Sequence, residues 1–367
     1  MRKDKILGKL PDVFVFENGE RVENQSDWEK RRVEIINTAV ELEFGGMPPA
    51  PDAFRLEKLT EPGKGRINCY RLHNIINGHD FTFCIDVYRP KENDKCPVVI
   101  TGDSVYRNFG DQVIDDAHAR GFAVVKFNRT ELAHDMYNTD RSEGIYPLFP
   151  NLNFSAISAW AWGYQRVVDA LFTLDYIDTD NIAITGHSRG GKTTLLAGAT
   201  DERIRYINSN GSGAHGCGCY RFEQYEEPGI YENDRSEKLE DLFSVVPYWM
   251  GKEMESYIGK ETTIPHDMHF IKALIAPRVL FETNGYKDIW ANPRGSYITY
   301  LAAKEVWKLY GKENNCRTYY RDAGHSHTRE DFNMLFDLMQ DTMADKNFKA
   351  DQVPYADMDK VYELMKG

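Results

Sequence analysis

Two different patterns of hydrophobic and polar residues divide the chain near residue 97. Before this point, residues 25–90 hold one stretch with apolar residues at helical spacing and several in which apolar and polar residues alternate. The helical stretch follows Ser26-Asp27 and ends before Gly45-Gly46, which are start and stop signals for a helix. The alternating stretches predict antiparallel strands at 54–59, 67–72 and 81–88.

Beyond residue 97, short apolar stretches alternate with helical patterns. They predict strands at 98–101, 123–127, 182–185, 206–208 and 278–281, with helices at 156–174 and 297–309 among them. This alternation is typical of a mostly parallel sheet with helices on both faces. Residues 213–276 interrupt it with Glu-, Tyr- and Gly-rich sequence. We interpret them as an insertion or lid over the strand ends, where open α/β sheets bind ligands, within a single domain spanning residues 1–367.

Composition narrows the possible partners and location. The chain has 367 residues, 41% of them hydrophobic, and a net charge of −12. This charge argues against nucleic-acid partners and anionic membrane surfaces. No apolar run reaches the length of a membrane span, and the basic N-terminal residues precede no apolar stretch of the kind found in signal peptides. We therefore expect a cytoplasmic protein. The sequence does not indicate its oligomeric state.

Metal and disulfide chemistry are not indicated. The six cysteines are scattered, and in a large chain without an export signal we expect them to be free thiols. Two pairs of histidines, His266 with His269 and His325 with His327, each offer two imidazoles without an obvious third ligand. We expect no metal ion and no cofactor.

One motif fits two catalytic patterns. Residues 186–193 read Gly-His-Ser-Arg-Gly-Gly-Lys-Thr, between an apolar strand and a helical pattern. As G-x-S-x-G they predict a nucleophile elbow with Ser188 at its tip. As G-x-x-x-x-G-K-[ST] they predict a phosphate-binding P-loop. Residue types in the motif alone do not separate the two readings.

The order of later residues favours the elbow. In α/β-hydrolases the acid and then the histidine follow the nucleophile, each in a loop after a later strand. Asp288 follows the predicted strand at 278–281, and His325 follows another predicted strand at 316–320. Under the P-loop hypothesis, Asp103 or Glu282 is a candidate magnesium ligand. This hypothesis leaves Ser188 and the loops of Asp288 and His325 without a role.

Some assignments have alternatives. His327 lies in the same loop as His325 and is a second candidate for the base, and Asp288 is also placed to cap a helix. Ser188 is also compatible with a tight strand-to-helix turn, and Lys192 with an ion pair on its helix.

The residues around the motif resemble the glucuronoyl esterases of carbohydrate esterase family 15 and their bacterial relatives. The similarity is carried by residues 158–166, 185–192 and 196–204, and it extends from the helix at Trp28 to the last helix. It implies an α/β-hydrolase fold with Ser188 as nucleophile, Arg189 as an oxyanion contact and His325 as the catalytic histidine. It also implies that Lys192 and Trp290 contact the sugar.

Two positions depart from the family pattern. Gly211 stands where many members carry the acid of the triad, so that role passes to Asp288, a position that some members also use. Val246 stands where a sugar-binding glutamate is expected, which makes an acetyl ester at least as plausible a substrate as a glucuronoyl ester.

Together these patterns predict a serine carboxylesterase acting on esterified plant polysaccharide or oligosaccharide through an acyl-enzyme. We expect the backbone N–H and guanidinium of Arg189 and the loop at Gly102-Asp103 to hold the oxyanion. Trp249 and His215 join Lys192 and Trp290 as candidate substrate contacts, although both tryptophans also fit a core and His215 a structural role. The alternatives are a P-loop nucleotide hydrolase, a serine peptidase or amidase, and a binding protein without catalysis.

Overall fold

A computed structural model describes residues 4–59, 67–90, 95–104, 109–136, 141–348 and 353–367. Its main element is a nine-stranded sheet, and a two-stranded ribbon lies apart from it. The ribbon pairs β1 (Lys5–Ile6) with β9 (Phe222–Glu223). The main sheet contains β2 (Ala53–Lys58), β3 (Ile67–Ile76), β4 (His79–Tyr88), β5 (Cys96–Thr101), β6 (Ala123–Phe127), β7 (Ile177–His187), β8 (Tyr206–Asn210), β10 (Val279–Gly285) and β11 (Cys316–Arg321).

The sheet is antiparallel at one edge and parallel elsewhere. Its strand order is β2-β3-β4-β6-β5-β7-β8-β10-β11. The first three strands and the β4–β6 pair are antiparallel, and every pair from β6 to β11 is parallel. The antiparallel N-terminal edge and the mostly parallel centre are both as the sequence pattern predicts. Because carboxyl ends of parallel strands lie at one edge, the residues after β7, β8, β10 and β11 are brought together there.

The described helices are α1 (Gln25–Ile35), α2 (Glu41–Phe44), α3 (Asp111–Ala119), α4 (Ala156–Leu171), α5 (Arg189–Thr200), α6 (Leu239–Val245), α7 (His269–Ala273), α8 (Pro293–Leu309), α9 (Arg329–Met343) and α10 (Met358–Met365). A π-helical turn, Ile36–Val40, joins α1 to α2. The helix predicted at the N-terminus is therefore present but interrupted. In the predicted insertion, short turns connect β9, α6 and α7.

The central strands are buried on both faces. Along β7, Ile182 and Ile184 pack into one apolar cluster with α4 and α5, while Ala183 faces a second cluster built around α3 and α9. Alternate residues of a strand point to opposite faces, so a strand covered on both sides needs a continuous apolar run. Each helix layer therefore covers one face of the sheet.

Within the described ranges, no helix combines the length and apolar character needed to cross a membrane. The cytoplasmic location expected from the sequence stays a prediction.

Candidate catalytic centre

Ser188 occupies a sharp turn between β7 and α5. Its φ of 56° and ψ of −118° lie in a region that non-glycine residues seldom adopt. A Cβ atom at Gly186 would lie 2.4 Å from the carbonyl oxygen of Gly190, and one at Gly190 would lie 2.4 Å from Oδ2 of Asp103. The two glycines therefore let the strand and the helix approach closely enough to form the turn. This is the geometry of a nucleophile elbow.

His325 and Asp288 form a hydrogen-bonded pair. Nδ1 of His325 lies 2.6 Å from Oδ2 of Asp288. The other carboxylate oxygen of Asp288 accepts from the backbone N–H of Ala291 at 3.3 Å, so this side chain both contacts the histidine and caps a short helical turn. A carboxylate can only accept, so Nδ1 carries the proton and Nε2 keeps its lone pair. Ser188 and His325 line the same cavity.

His327 is held away from this pair. Its ring stacks on Phe332 with the centroids 3.9 Å apart. Burial, and then the nearby His187, hold the pKa of His327 well below its usual value. It is absent from the residues that line the cavity, so the geometry favours His325 as the base.

A third imidazole packs against the pair. The ring centroids of His187 and His325 are 4.5 Å apart, and Nδ1 of His187 lies 2.6 Å from Oδ1 of Asn210. Burial, followed by repulsion from His325, lowers the pKa of His187 to about 4. His187 is therefore neutral near pH 7 and adds no positive charge beside the catalytic imidazole.

Gly211 lies beside the same imidazole nitrogen. A Cβ atom here would be 3.7 Å from Nδ1 of His325 and 3.4 Å from Oδ2 of Asp288. Position 211 and position 288 thus approach one nitrogen from two loops, those after β8 and β10. With glycine at 211, Asp288 is the carboxylate within hydrogen-bonding distance of His325.

The loop after β5 does not present the oxyanion donors expected from the sequence. The N–H of Gly102 donates to the Tyr164 hydroxyl at 2.7 Å, and that of Asp103 donates to Oγ1 of Thr101 at 3.2 Å. Neither residue lines the cavity. The assignment of Gly102 and Asp103 is corrected on this ground, since both N–H groups already have acceptors. The carboxylate of Asp103 instead accepts from the N–H of His187 at 2.9 Å and so supports the elbow.

Arg189 does reach the cavity. Its guanidinium lies 4.6 Å above the Trp249 ring, and Nη1 donates to Oδ2 of Asp135 at 2.9 Å. As the first residue of α5, Arg189 places its backbone N–H at the positive end of the helix dipole. Side chain and backbone of this residue are thus both suited to hold negative charge beside Ser188.

The cavity has a volume of about 430 Å³ and two tryptophan walls, Trp249 and Trp290. Nε1 of Trp290 donates to Oε1 of Glu237 at 3.2 Å, and Oε2 of Glu237 accepts from Lys192 at the same distance. Lys192 is buried and also donates to the carbonyls of Ser212 and Ala214. Its three N–H bonds thus go to protein atoms, and burial lowers its pKa.

Glu237 could not be predicted from the sequence, because one acidic residue in an acidic insertion carries no distinguishing pattern. Val246 lines the cavity, at the position where the family resemblance implies a sugar-binding glutamate.

His215 is not a substrate contact in this structure. It is fully buried, with Nδ1 2.6 Å from Oε1 of Glu43 and Nε2 3.0 Å from the Trp249 carbonyl oxygen. It does not line the cavity. The predicted substrate contact is wrong because both ring nitrogens of His215 are engaged by residues distant in the chain, an arrangement that also holds the Trp249 backbone in place.

The P-loop reading is not supported by these contacts. Lys192, which would reach a phosphate, donates into the protein interior. Asp103 pairs with Arg129, and Glu282 pairs with Lys272 in the core, so both candidate magnesium ligands already have cationic partners. Within the described ranges, His, Cys, Asp and Glu residues form no group of three or more that could hold a metal ion.

A family model described as "Glucuronyl esterase, fungi" matches residues 61–311. The chain belongs to this family. Among curated relatives, the 4-O-methyl-glucuronoyl methylesterase of Cerrena unicolor is 28% identical over 87% of this chain and 65% of its own length. The enzyme of the same name from Podospora anserina is 28% identical over 88% of this chain and 64% of its own. The chain thus spans slightly less than two thirds of the length of these two relatives.

Solved structures of the family share the fold. The family 15 glucuronoyl esterase from Caldicellulosiruptor kristjansonii has a TM-score of 0.83, is 26% identical, and the match covers 96% of each chain. The glucuronoyl esterase catalytic domain from Hypocrea jecorina has a TM-score of 0.74 at 23% identity, covering 95% of this chain and 93% of that one. These matches confirm the α/β-hydrolase fold and the resemblance found in the sequence.

Proposed function

We propose that this protein hydrolyses carboxylic esters of a glucuronic acid through an acyl-enzyme on Ser188. The observation that carries the proposal is the hydrogen bond between Asp288 and His325 on the cavity that Ser188 also lines. A serine hydroxyl becomes an effective nucleophile only when a positioned base removes its proton. The strained elbow presents Ser188, and the paired imidazole supplies that base.

The reaction follows from the positions of these groups. The Ser188 hydroxyl oxygen attacks the ester carbonyl while its proton passes to Nε2 of His325. Asp288 stabilises the imidazolium, and Arg189 stabilises the oxyanion of the tetrahedral intermediate. The imidazolium then gives its proton to the leaving alcohol. His325 then takes a proton from a water molecule, whose oxygen attacks the acyl-enzyme carbonyl. The imidazolium returns this proton to the Ser188 oxygen as the bond to the acyl group breaks, which releases the free acid and the serine hydroxyl.

The cavity supports a sugar acid as the acyl group. Its volume of about 430 Å³ falls in the range of pockets that enclose a small ligand, far more than an acetyl group fills. Trp249 and Trp290 offer flat apolar surfaces for a sugar ring, and Glu237 offers carboxylate oxygens for hydroxyl groups. The names of the relatives, 4-O-methyl-glucuronoyl methylesterases, agree with this acyl group.

Val246 is the observation that favours a second candidate, an O-acetyl esterase. It places an apolar side chain in the cavity where the family pattern implies a glutamate. A smaller or less hydroxylated acyl group would lose less from this change than a glucuronoyl group would.

The test compares methyl glucuronate with para-nitrophenyl acetate and measures the released alcohol. We expect the higher kcat/KM on the glucuronate ester, no hydrolysis of glucuronamide, and loss of both ester activities in Ser188→Ala. Hydrolysis of the acetate alone would favour the O-acetyl esterase, and hydrolysis of the amide would favour an amidase. A fluorophosphonate probe that fails to label folded wild-type protein would contradict any serine mechanism.

A further inference from the structure

Among the residues that the structure describes, four polar groups lie at the carboxylate of Asp135, a residue in the loop after β6. Oδ2 accepts from Nη1 of Arg189 at 2.9 Å and lies 3.6 Å from Nη2 of Arg129. Oδ1 accepts from the Tyr248 hydroxyl at 3.1 Å and from Nε1 of Trp249 at 3.2 Å. The Asp135 side chain is only 4% exposed. A carboxylate buried to this extent is stable only when it is paired and hydrogen-bonded, as it is here.

These contacts hold the Arg189 guanidinium on two sides. Asp135 binds its edge, and the Trp249 ring lies 4.6 Å beneath its face. The side chain is still 36% exposed, and Arg189 lines the cavity. A long arginine side chain at a surface has many rotamers, and each extra contact that selects one lowers the entropy lost when it meets a developing charge. The pair of contacts therefore pre-organises Arg189.

Asp135 is also connected to the nucleophile turn. Arg129, fully buried, lies between two carboxylates, with Nη1 donating to Oδ1 of Asp103 at 2.8 Å and Nη2 facing Asp135. The other oxygen of Asp103 accepts from the N–H of His187, the residue before Ser188. A continuous series of ion pairs and hydrogen bonds therefore links the turn that presents Ser188 to the carboxylate that holds Arg189.

Two residues of the insertion share the same carboxylate. Tyr248 and Trp249 both donate to Oδ1, and the Trp249 carbonyl is held by His215 from the other side. Asp135 thus fixes the cavity wall and the arginine relative to each other. It does not itself line the cavity.

We propose that Asp135 is a positioning residue that aims the Arg189 guanidinium at the oxyanion, and this inference rests on the function proposed above. A negative charge beside Arg189 weakens the attraction of that arginine for an oxyanion. Arg129 offsets this cost because it supplies a second positive charge to the same carboxylate. We therefore expect Asp135 to increase kcat, because the orientation that it gives the Arg189 guanidinium outweighs the weakened charge.

The test is a double-mutant cycle on Asp135 and Arg189. The variants Asp135→Asn, Arg189→Met and the double variant are compared with wild type for kcat and KM on methyl glucuronate and para-nitrophenyl acetate. We expect Arg189→Met to lower kcat about a hundredfold and Asp135→Asn about tenfold, with KM changed less than about threefold. The double variant should match Arg189→Met alone, because Asp135 acts through the arginine.

The matched control is Asp169→Asn on α4. Asp169 forms ion pairs with two arginines, Arg166 and Arg203, and does not line the cavity. We expect its kcat to remain that of wild type. Tyr248→Phe removes one hydrogen bond to Asp135 without altering its charge and should lower kcat less than Asp135→Asn does. Thermal unfolding of every variant identifies any loss caused by misfolding.

Several outcomes would overturn the proposal. Independent, multiplying losses in the double variant would show that Asp135 does not act through Arg189, and a kcat raised by Asp135→Asn would show that it only weakens the arginine. If Asp135→Asn does not fold, Tyr248→Phe and Asp135→Glu complete the comparison, and an unchanged kcat in both contradicts the inference. If wild type hydrolyses only para-nitrophenyl acetate, the proposed glucuronate substrate is wrong, but the double-mutant cycle can still be measured on the acetate. If no ester is hydrolysed, the same cycle is measured on the rate of fluorophosphonate labelling at Ser188. Equal labelling rates for wild type and Asp135→Asn would then contradict the inference.

Discussion

Nδ1 of His325 lies 2.6 Å from Oδ2 of Asp288, a residue 37 positions earlier in the chain. The two side chains come from the loops after β11 and β10, which are neighbours in the sheet. The loop after β8 reaches the same nitrogen with Gly211, which has no side chain to offer. The hydrogen bond assigns the acid of the proposed triad to the loop after β10, next to the loop that carries the histidine. The role of each loop can therefore be tested separately.

Asp288→Asn is expected to lower kcat on methyl glucuronate about ten-thousandfold. An amide at this position can donate to Nδ1 and stabilise the wrong tautomer of His325, and it cannot stabilise the imidazolium. Steady-state kinetics on the glucuronate ester measure the change. The matched control is Asp322→Asn, in the neighbouring loop, because Asp322 is exposed and pairs with Lys287. Near wild-type turnover in Asp288→Asn would move the acid role to another residue.

Replacing His325 and His327, the two histidines of one loop, should affect different properties of the enzyme. His325→Gln is expected to lower kcat at least about a thousandfold, because it removes the base beside Ser188. His327→Gln should lower kcat less than about tenfold, and its main effect should be on the melting temperature, since its ring packs on Phe332. Activity and thermal unfolding of both variants check this. The reverse pattern would assign the base to His327.

Stability is expected to fall on acidification below pH 6.5. Burial lowers the pKa of His187 and of His269 to about 4, against 6.5 for the free side chain. Between these values the unfolded state binds a proton that the folded state does not, so the contribution of these two histidines to the free energy of unfolding decreases as pH falls and levels off below about 4. Each histidine should cost about 2 kcal/mol between pH 7 and pH 5.

Urea unfolding of His269→Gln at pH 7 and pH 5 measures this contribution. We expect its pH dependence to be shallower than that of wild type by about 2 kcal/mol, because the variant lacks one titrating group. His79→Gln, at an exposed histidine, is the matched control and should retain the wild-type pH dependence. Equal slopes for His269→Gln and wild type would show that His269 is not held neutral by burial.

Glu237→Gln is expected to raise KM for methyl glucuronate about tenfold while kcat changes little. Glu237 holds both Trp290 and Lys192 in the cavity wall, so its loss loosens substrate binding without touching Ser188 or His325. The buried Lys192 also loses its charged partner, so a lower melting temperature should accompany the change. Glu240→Gln, at an exposed acid of the same insertion, should alter neither quantity. A fall in kcat at constant KM would instead place Glu237 in the chemical step.

Much of the fold and the main motif could be predicted from the sequence because their signals are local. Alternation and helical spacing report which residues face a core, and these patterns predicted the antiparallel edge and the parallel centre. The elbow was predicted from Gly186 and Gly190 around Ser188, since only residues without a Cβ permit that close approach. The order of Asp288 and His325 after later strands indicated which loops would meet at the sheet edge.

Assignments that depended on partners distant in the chain could be decided only by the tertiary structure. The N–H groups of Gly102 and Asp103 follow the predicted strand but are already bonded, and His215 is held by Glu43, 172 positions away. The choice between His325 and His327 depended on which ring packs against Phe332.

The amino-acid sequence by itself determined the sequence of strands and helices, the turn at Ser188 and the set of candidate side chains, because backbone preference and the period of apolar residues are properties of neighbouring positions. The tertiary structure decided which carboxylate meets His325, where Lys192 and Glu237 pair, and how Asp135 gathers Arg189 and Trp249. The reason is that a hydrogen bond depends on a few tenths of an ångström between atoms that only the packing of whole elements brings together.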